Sequence, residues 1–118
     1  MKKIILIDDN PDDLLLMSQT LEYAGYHVVT YNKAKDALRD MSSEQPDLVV
    51  TDMVMPDMEG FETVEYIRSE YHNKLPVIIT SGSSKYFYLA EELEVDGICL
   101  KSSNCAELID QVSKVLEQ

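Results

Sequence analysis

The stretch KIILIDD, residues 3–9, decides the fold, because an unbroken apolar run ends there in two adjacent acids. The apolar run Ile4–Ile7 is far shorter than the roughly 18 residues of a membrane helix, and the two acids directly after it exclude the apolar core of a signal peptide. Successive apolar residues are typical of a strand that is buried on both faces of a sheet. We therefore predict a buried first strand that presents Asp8 and Asp9 at its carboxyl end.

The rest of the chain alternates predicted helices and strands, with no linker, repeat or low-complexity segment. Asn10 is suited to cap a helix that opens with Pro11 and stops at Gly25. Apolar residues in short runs or at helical spacing mark the other elements. Strands are predicted at Lys3–Ile7, His27–Tyr31, Leu48–Thr51, Val77–Thr80 and Gly97–Leu100, and further helices at Ala34–Met41, Phe61–Tyr71, Lys85–Leu93 and Ala106–Leu116.

Five strands in strict alternation with five helices predict a single α/β domain over residues 1–118, in which helices cover both faces of a parallel sheet. Periodicity leaves the strand order open. Such doubly wound sheets bind their ligands beyond the carboxyl ends of the strands. That rule directs attention to residues 8–9, 52–54, 81–83 and 101.

The amino-acid composition restricts the classes of function that the chain can have. The chain has 22 acidic and 10 basic residues and a formal charge of −12. This balance argues against direct nucleic-acid binding, which usually needs a basic surface, and it suits a divalent-cation site. With no membrane segment predicted, we expect a cytoplasmic protein. Cys99 and Cys105 lack metal-ligand spacing, and we expect no disulfide between them.

Polar residues with complementary chemistry follow four predicted strands. Carboxylates follow the first strand and the third, where Asp52 stands, and a divalent cation such as Mg²⁺ would relieve their mutual repulsion. The hydroxyls of Thr80 and Ser81 follow the fourth strand, and the point charge of Lys101 follows the fifth. These are components for phosphoryl transfer, in which positioning and charge neutralisation do most of the work, and a carboxylate can act as the nucleophile.

Taken together, these motifs resemble the response-regulator receiver domains of bacterial two-component signalling, over essentially the whole chain and most nearly the chemotaxis regulators. The resemblance implies a flavodoxin-like, five-stranded parallel sheet in the order 2-1-3-4-5. The motifs that carry it are Ile7-Asp8-Asp9, the segment Thr51–Pro56 with Gly60, the segment Pro76–Gly82, and Leu100-Lys101.

The resemblance also implies a role for each acid. Asp52 would be the phosphoacceptor and a ligand of Mg²⁺, for which Mn²⁺ or Ca²⁺ can substitute. Asp9 would bind the metal directly and Asp8 chiefly through water, and the backbone carbonyl of Val54 would complete the protein ligands. Asp12 and Asp13, by contrast, are expected mainly to favour the positive end of the first helix.

The phosphoryl group would be held by two further side chains. Ser81 would be the switch hydroxyl, since it lies five residues after Pro76, and Lys101 would pair with phosphoryl oxygens. The donor would be a sensor histidine kinase, a histidine phosphotransfer protein or a small phosphodonor such as acetyl phosphate. The chain would then be a switch rather than a turnover enzyme. It would signal to a downstream protein or output domain, or form a homodimer, through the face of its fourth helix, fifth strand and fifth helix.

The sequence departs from the family pattern around the site. Ser102 follows Lys101 where the family usually has proline, often after a cis bond; cis costs about 3 kcal/mol before other residues, so we predict a trans bond and a shifted loop. Ile98 replaces an aromatic residue that swings inward on activation, which predicts altered coupling to the output. Val54 and Ser83 flank the site, and because valine cannot orient water, we predict slow self-dephosphorylation.

Three other functions remain open at this stage. A phosphatase of the haloacid-dehalogenase type usually needs a second aspartate two residues after its nucleophile, where this chain has Val54. A flavin-binding protein would need a phosphate-cradling loop after the first strand, where this chain has acids. A receiver that docks without being phosphorylated is compatible with Ser102 and Ile98.

Overall fold

The computed structural model describes residues 1–72, 74–88, 92–101 and 105–117. Over these residues the chain alternates strands and helices, as the apolar pattern predicts. The elements are β1 (Lys3–Ile7), α1 (Pro11–Tyr23), β2 (His27–Tyr31), α2 (Ala34–Glu44), β3 (Leu48–Asp52), α3 (Gly60–Tyr71), β4 (Val77–Ser81), a 3₁₀ turn (Ser84–Tyr86), β5 (Gly97–Leu100) and α4 (Ala106–Leu116), which is the predicted fifth helix.

The strands form one parallel sheet in the order β2-β1-β3-β4-β5, which confirms the order that the family resemblance implies. Ile7 pairs with Thr51, and Asp52 pairs with Thr80, so β1, β3 and β4 end at nearly the same level. Ser81 pairs with Leu100, the last residue of β5. The loops that follow these strands therefore open at one edge of the sheet.

Side chains of β1 alternate between two cores. Ile5 and Ile7 pack with the α2 and α3 side of the sheet, while Ile4 and Leu6 pack with the α1 and α4 side. All four are fully buried. This arrangement is the predicted three-layer architecture, and it holds the end of β1 rigidly, because the strand is covered on both faces.

The start and stop signals of α1 are confirmed. The Asn10 side chain accepts hydrogen bonds from the backbone N–H groups of Asp12 and Asp13, each at 3.0 Å, and Pro11 is the first helical residue. The chain leaves the helix through Gly25, whose φ of +103° favours glycine. The loop after β1 is thereby fixed between a buried strand and a capped helix.

The predicted helix near Lys85–Leu93 is wrong over its first residues. Ser84–Tyr86 form a 3₁₀ turn, while residues 89–91 lie outside the described part of the chain. The Ser83 hydroxyl accepts from the Lys85 N–H at 3.2 Å, and such local bonds compete with helical ones. Tyr88, just after this turn, is largely exposed.

Two further features bear on the expectations from composition. No helix in the described ranges has both the length and the apolar character needed to cross a bilayer. Cys99 and Cys105 are both buried and unbridged, and burial raises the pKa of Cys99 to about 12, which keeps its thiol protonated and unreactive.

Candidate functional site

Three carboxylates meet at the carboxyl edge of the sheet. Asp8 and Asp9 follow β1, and Asp52 ends the neighbouring strand β3; each offers one oxygen within 4.8 Å of the others. Asp8 is fully buried, Asp52 is nearly so and Asp9 is exposed. The sheet register brings these acids together, so the predicted cluster exists before any ligand is considered.

Asp8 carries the clearest sign that the cluster suits a cation. Its Oδ1 accepts from the backbone N–H of Asn10 at 2.9 Å, and its fully buried Oδ2 lies 2.8 Å from the ammonium of Lys101. A buried carboxylate needs such compensating positive charge, which a metal cation also supplies. Three such carboxylates offer the hard oxygen ligands that Mg²⁺ prefers, so the residues fit the metal.

Lys101 enters the site from the end of β5. Its Nζ donates to Asp52 Oδ2 at 3.2 Å and to Asp13 Oδ2 at 3.0 Å. Burial alone would lower the pKa of Lys101, but contacts with the carboxylates of Asp8, Asp13 and Asp52 raise it overall. The ammonium is therefore a permanent positive charge beside the predicted acceptor.

The carboxyl group of Asp52 is electrostatically strained. Burial raises its pKa to about 6, with the charge of Asp8 acting in the same direction, and Lys101 offsets part of the shift. A partly dehydrated carboxylate beside a like charge favours any partner that brings positive charge. Asp52 thus offers a nucleophilic oxygen in surroundings that favour the binding of a cation.

Ser81 ends β4 next to this cluster, but its hydroxyl is engaged elsewhere. It donates to the carbonyl of Ser83 at 2.8 Å and accepts from the Ser83 N–H at 3.2 Å. The neighbouring hydroxyl of Thr80 instead faces the carbonyl of Thr51, within the sheet. Ser81 is thus the hydroxyl tied to the loop rather than to the sheet, and its switch role stays a prediction.

The loop after Asp52 is held close to the sheet. Gly60 begins α3 and donates its N–H to the carbonyl of Met53 at 2.7 Å. A Cβ on Gly60 would lie only 2.7 Å from the carbonyl oxygen of Asp52, so glycine permits this approach. Val54 lies in the loop with an exposed side chain.

Two contacts of the site region were missed from the sequence. Asp57 reaches from the loop after β3 to the start of α2, where its carboxylate accepts from the Lys35 N–H at 3.1 Å. Asp13 contacts Lys101 across 88 positions of sequence. Neither pairing has a local signal, because both depend on how distant loops pack.

The predicted trans bond before Ser102 lies outside the described residues, and Ile98 packs half-buried against the α2 and α3 core.

The sheet order and the acidic cluster at its carboxyl edge define the chain as an α/β domain with a flavodoxin-like fold and a candidate cation site at the ends of its strands. Residues 4–113 match the family model of the response regulator receiver domain, and the chain belongs to that family. This receiver domain is accordingly a phosphoacceptor switch rather than a turnover enzyme, which decides against the phosphatase and flavin-binding alternatives for the matched residues.

Two curated bacterial regulators are similar to the chain. The alkaline phosphatase synthesis regulator PhoP of Bacillus subtilis is 29% identical over 99% of this chain and 49% of its own length. A CpxR homolog of Haemophilus influenzae is 31% identical over 100% of this chain and 52% of its own. The chain therefore spans about half the length of these curated relatives.

Solved structures agree with the fold. The response regulator TrrA of Thermotoga maritima, in complex with Mg²⁺ and beryllofluoride, superposes with a TM-score of 0.91 at 31% identity, covering 98% of this chain and 100% of that one. The chemotaxis regulator CheY4 of Vibrio cholerae gives a TM-score of 0.87 at 28% identity, covering 98% of this chain and 99% of that one.

Proposed function

We propose that the chain, as a single domain over residues 1–118, accepts a phosphoryl group on Asp52 in a cytoplasmic two-component or phosphorelay pathway. The observation that carries this is the near-buried carboxylate of Asp52, with Lys101 Nζ 3.2 Å from one of its oxygens and Asp8 beside it. A carboxylate oxygen attacks phosphorus, the new P–O bond forms, and the P–N bond to the donor histidine breaks. The imidazole nitrogen keeps the electron pair and takes up a proton.

The acidic cluster would hold the metal that this reaction needs. Asp8, Asp9 and Asp52, with the backbone carbonyl of Val54, are the proposed ligands, and Mn²⁺ or Ca²⁺ would substitute for Mg²⁺. When bound, the metal supplies positive charge to the phosphoryl oxygens. The proposal is supported by the fully buried Oδ2 of Asp8, which already lies 2.8 Å from the positive charge of Lys101, and by the similarity to TrrA, whose structure is a complex with Mg²⁺ and beryllofluoride.

The remaining site residues would hold the product. The ammonium of Lys101 would exchange the Asp52 carboxylate for a phosphoryl oxygen. The hydroxyl of Ser81 would leave Ser83 and donate to another phosphoryl oxygen. Since Ser83 also accepts from Lys85 at the 3₁₀ turn, freeing Ser81 would alter a connected set of loop hydrogen bonds. That set leads from the site toward the surface beyond β4.

The proposal also includes a phosphodonor and an output surface. The donor would be a sensor histidine kinase or a histidine phosphotransfer protein. The signal would leave through the segment after β4, together with β5 and α4, toward a downstream protein, an output domain or a second copy of the chain. Ile98 on β5 packs against the core and lacks a ring to rotate, so we expect the loop after Ser81 to carry the change.

Phosphorylation by acetyl phosphate with Mg²⁺, read by intact-protein mass spectrometry, tests the proposal. Wild type should gain one phosphoryl group and Asp52→Asn none, and a chelator should abolish the gain. Asp47→Asn is a matched control, because Asp47 lies at the opposite edge of the sheet and accepts from the Lys3 N–H. A variant lacking Asp52 that is still phosphorylated, or a wild type that is not, would refute the assignment.

The predicted slow self-dephosphorylation is tested on the same material. The Val54 side chain is exposed beside the acceptor and carries no polar atom that could orient an attacking water. The phosphorylated wild type should therefore lose its phosphoryl group slowly, and Val54→Asn should lose it faster. Loss within seconds in the wild type, with little change in the variant, would contradict this reasoning.

A further inference from the structure

Asp13 lies outside the acidic cluster but contacts its lysine. It is the third residue of α1, and its Oδ2 lies 3.0 Å from Lys101 Nζ, with the two side chains 38% and 19% exposed. The start of α1 is capped by Asn10, which accepts from the Asp13 N–H, so the Asp13 carboxylate is not needed as the cap. The geometry thus gives Asp13 a task besides favouring a helix start.

The other partners of Lys101 explain what that task is. The ammonium also contacts Asp8 Oδ2 at 2.8 Å and Asp52 Oδ2 at 3.2 Å, and both carboxylates belong to the cluster that fits a cation. A divalent cation and the ammonium would compete for the same oxygens and repel each other. Asp13 is not part of that cluster, so it can hold Lys101 while Asp8 and Asp52 are engaged otherwise.

We propose that Asp13 is a positioning residue for phosphoryl transfer, holding the Lys101 ammonium at the rim of the site when cation and phosphoryl group occupy the floor. The proposal rests on the proposed function of Asp52 as acceptor. Lysine has a long, flexible side chain, so an anchor on the far side of the ammonium restricts where its charge is placed. Asp13 acts through Lys101 and touches no reacting atom.

Asp12 supplies a matched control. It is the same residue type one position earlier in the first turn of α1, it is exposed, and its N–H donates to the same Asn10 side chain. Asp12→Asn and Asp13→Asn remove the same charge from the same helix end. Long-range effects on an anionic ligand or a cation are therefore shared, and the difference between the variants reports the contact with Lys101.

Titration calorimetry with beryllofluoride in excess Mg²⁺ measures the effect on wild type, both asparagine variants and Asp13→Glu. Relative to Asp12→Asn, Asp13→Asn should bind beryllofluoride about three- to tenfold more weakly, as for one lost charge-assisted contact open to solvent. Asp13→Glu, which keeps the charge, should recover most of the affinity. The fluorine NMR spectrum of the bound ligand should shift in Asp13→Asn and match wild type in Asp12→Asn, which a purely structural role would not produce.

The experiments distinguish a failure of the role proposed for Asp13 from a failure of the role proposed for Asp52. Equal affinities and equal fluorine spectra for Asp12→Asn and Asp13→Asn would overturn the role of Asp13, while wild type is still phosphorylated on Asp52. A wild type that is not phosphorylated on Asp52 would instead refute the proposed function. Urea denaturation of each variant confirms that the comparison is made between folded proteins.

Discussion

Replacing Gly60 by alanine tests how tightly the acceptor loop is built. An added Cβ would lie 2.7 Å from the Asp52 carbonyl oxygen and 2.8 Å from both Cα and O of Met53. All three are backbone atoms, so no side-chain rotation relieves the overlap. For ordinary contact at 3.4 Å, α3 must move outward by about 0.7 Å, which stretches the 2.7 Å hydrogen bond from Gly60 N–H to Met53.

The expected change in the free energy of unfolding is the sum of opposing contributions. Overpacking of this kind costs about 1–3 kcal/mol, and weakening the hydrogen bond costs up to about 1 kcal/mol more. Replacing glycine by alanine returns about 0.4–1 kcal/mol by restricting the unfolded chain. We therefore expect Gly60→Ala to lower the free energy of unfolding by about 1–3 kcal/mol, which moves a urea midpoint by roughly 1 M.

Urea denaturation followed by far-ultraviolet circular dichroism measures this loss. Gly82→Ala is the matched control, because a Cβ on Gly82 meets no atom within 4 Å and its backbone needs no positive φ. That control should be as stable as wild type or slightly more so. If Gly60→Ala unfolds at the same urea concentration as Gly82→Ala, the close approach of α3 to the acceptor loop is not what requires glycine.

Other substitutions probe the supports of the site. Arg68 donates to the carbonyls of Leu75 and Glu94 at 2.7 and 2.8 Å. A lysine cannot reach both carbonyls, so Arg68→Lys should lower the free energy of unfolding in urea by about 2 kcal/mol. Arg39→Lys, at an exposed ion pair, is the control and should lower it by under about 0.5 kcal/mol. Asp57→Ala removes the cap of α2 and should cost about 1 kcal/mol, with a smaller loss for Asp57→Asn, measured by thermal melting. Burial, then the neighbouring Glu117, raises the pKa of Tyr26 from 10.0 to about 12, so the fold favours the neutral phenol. This phenol should not change stability below pH 10 and should lower it between pH 10 and 12, where Tyr31, whose pKa is also raised to about 12, acts in the same direction. Tyr26→Phe should therefore make the fall between pH 10 and 12 smaller in urea titrations at each pH.

The sheet was predictable because its strands are apolar throughout. The predicted bounds of β1, β2 and β5 match the structure, and β3 and β4 extend by one polar residue, Asp52 and Ser81. A residue that ends a strand and serves a site has no apolar signal to mark it as part of the strand. Strand order was not readable from periodicity and came only with the motif resemblance, since pairing between distant strands leaves no local trace.

Elements governed by local competition were predicted less well. The segment after β4 has helical composition in part, yet the Ser83 hydroxyl closes a turn onto Lys85 and a 3₁₀ turn results at Ser84–Tyr86. The three acids of the cluster were found because they stand at the carboxyl ends of two buried strands. Asp13 was interpreted as a helix-start residue, which is true of its position. Its contact with Lys101 was not predicted, because that contact depends on how the start of α1 meets the chain after β5 in three dimensions.

The packing of the two apolar cores explains how the fold tolerates an acidic site whose charges repel one another. Asp8 is fully buried, and burial together with the charge of Asp8 raises the pKa of Asp52. One ammonium, that of Lys101, faces three carboxylates, so the described site carries net negative charge. The two apolar cores hold β1 and β3 in register and keep these acids close despite their repulsion. A ligand that brings positive charge is then favoured by relief of strain already present in the fold. The hydroxyl of Ser81 is bonded to Ser83 in the following loop, so a change of its partner would alter loop hydrogen bonds rather than those of the sheet.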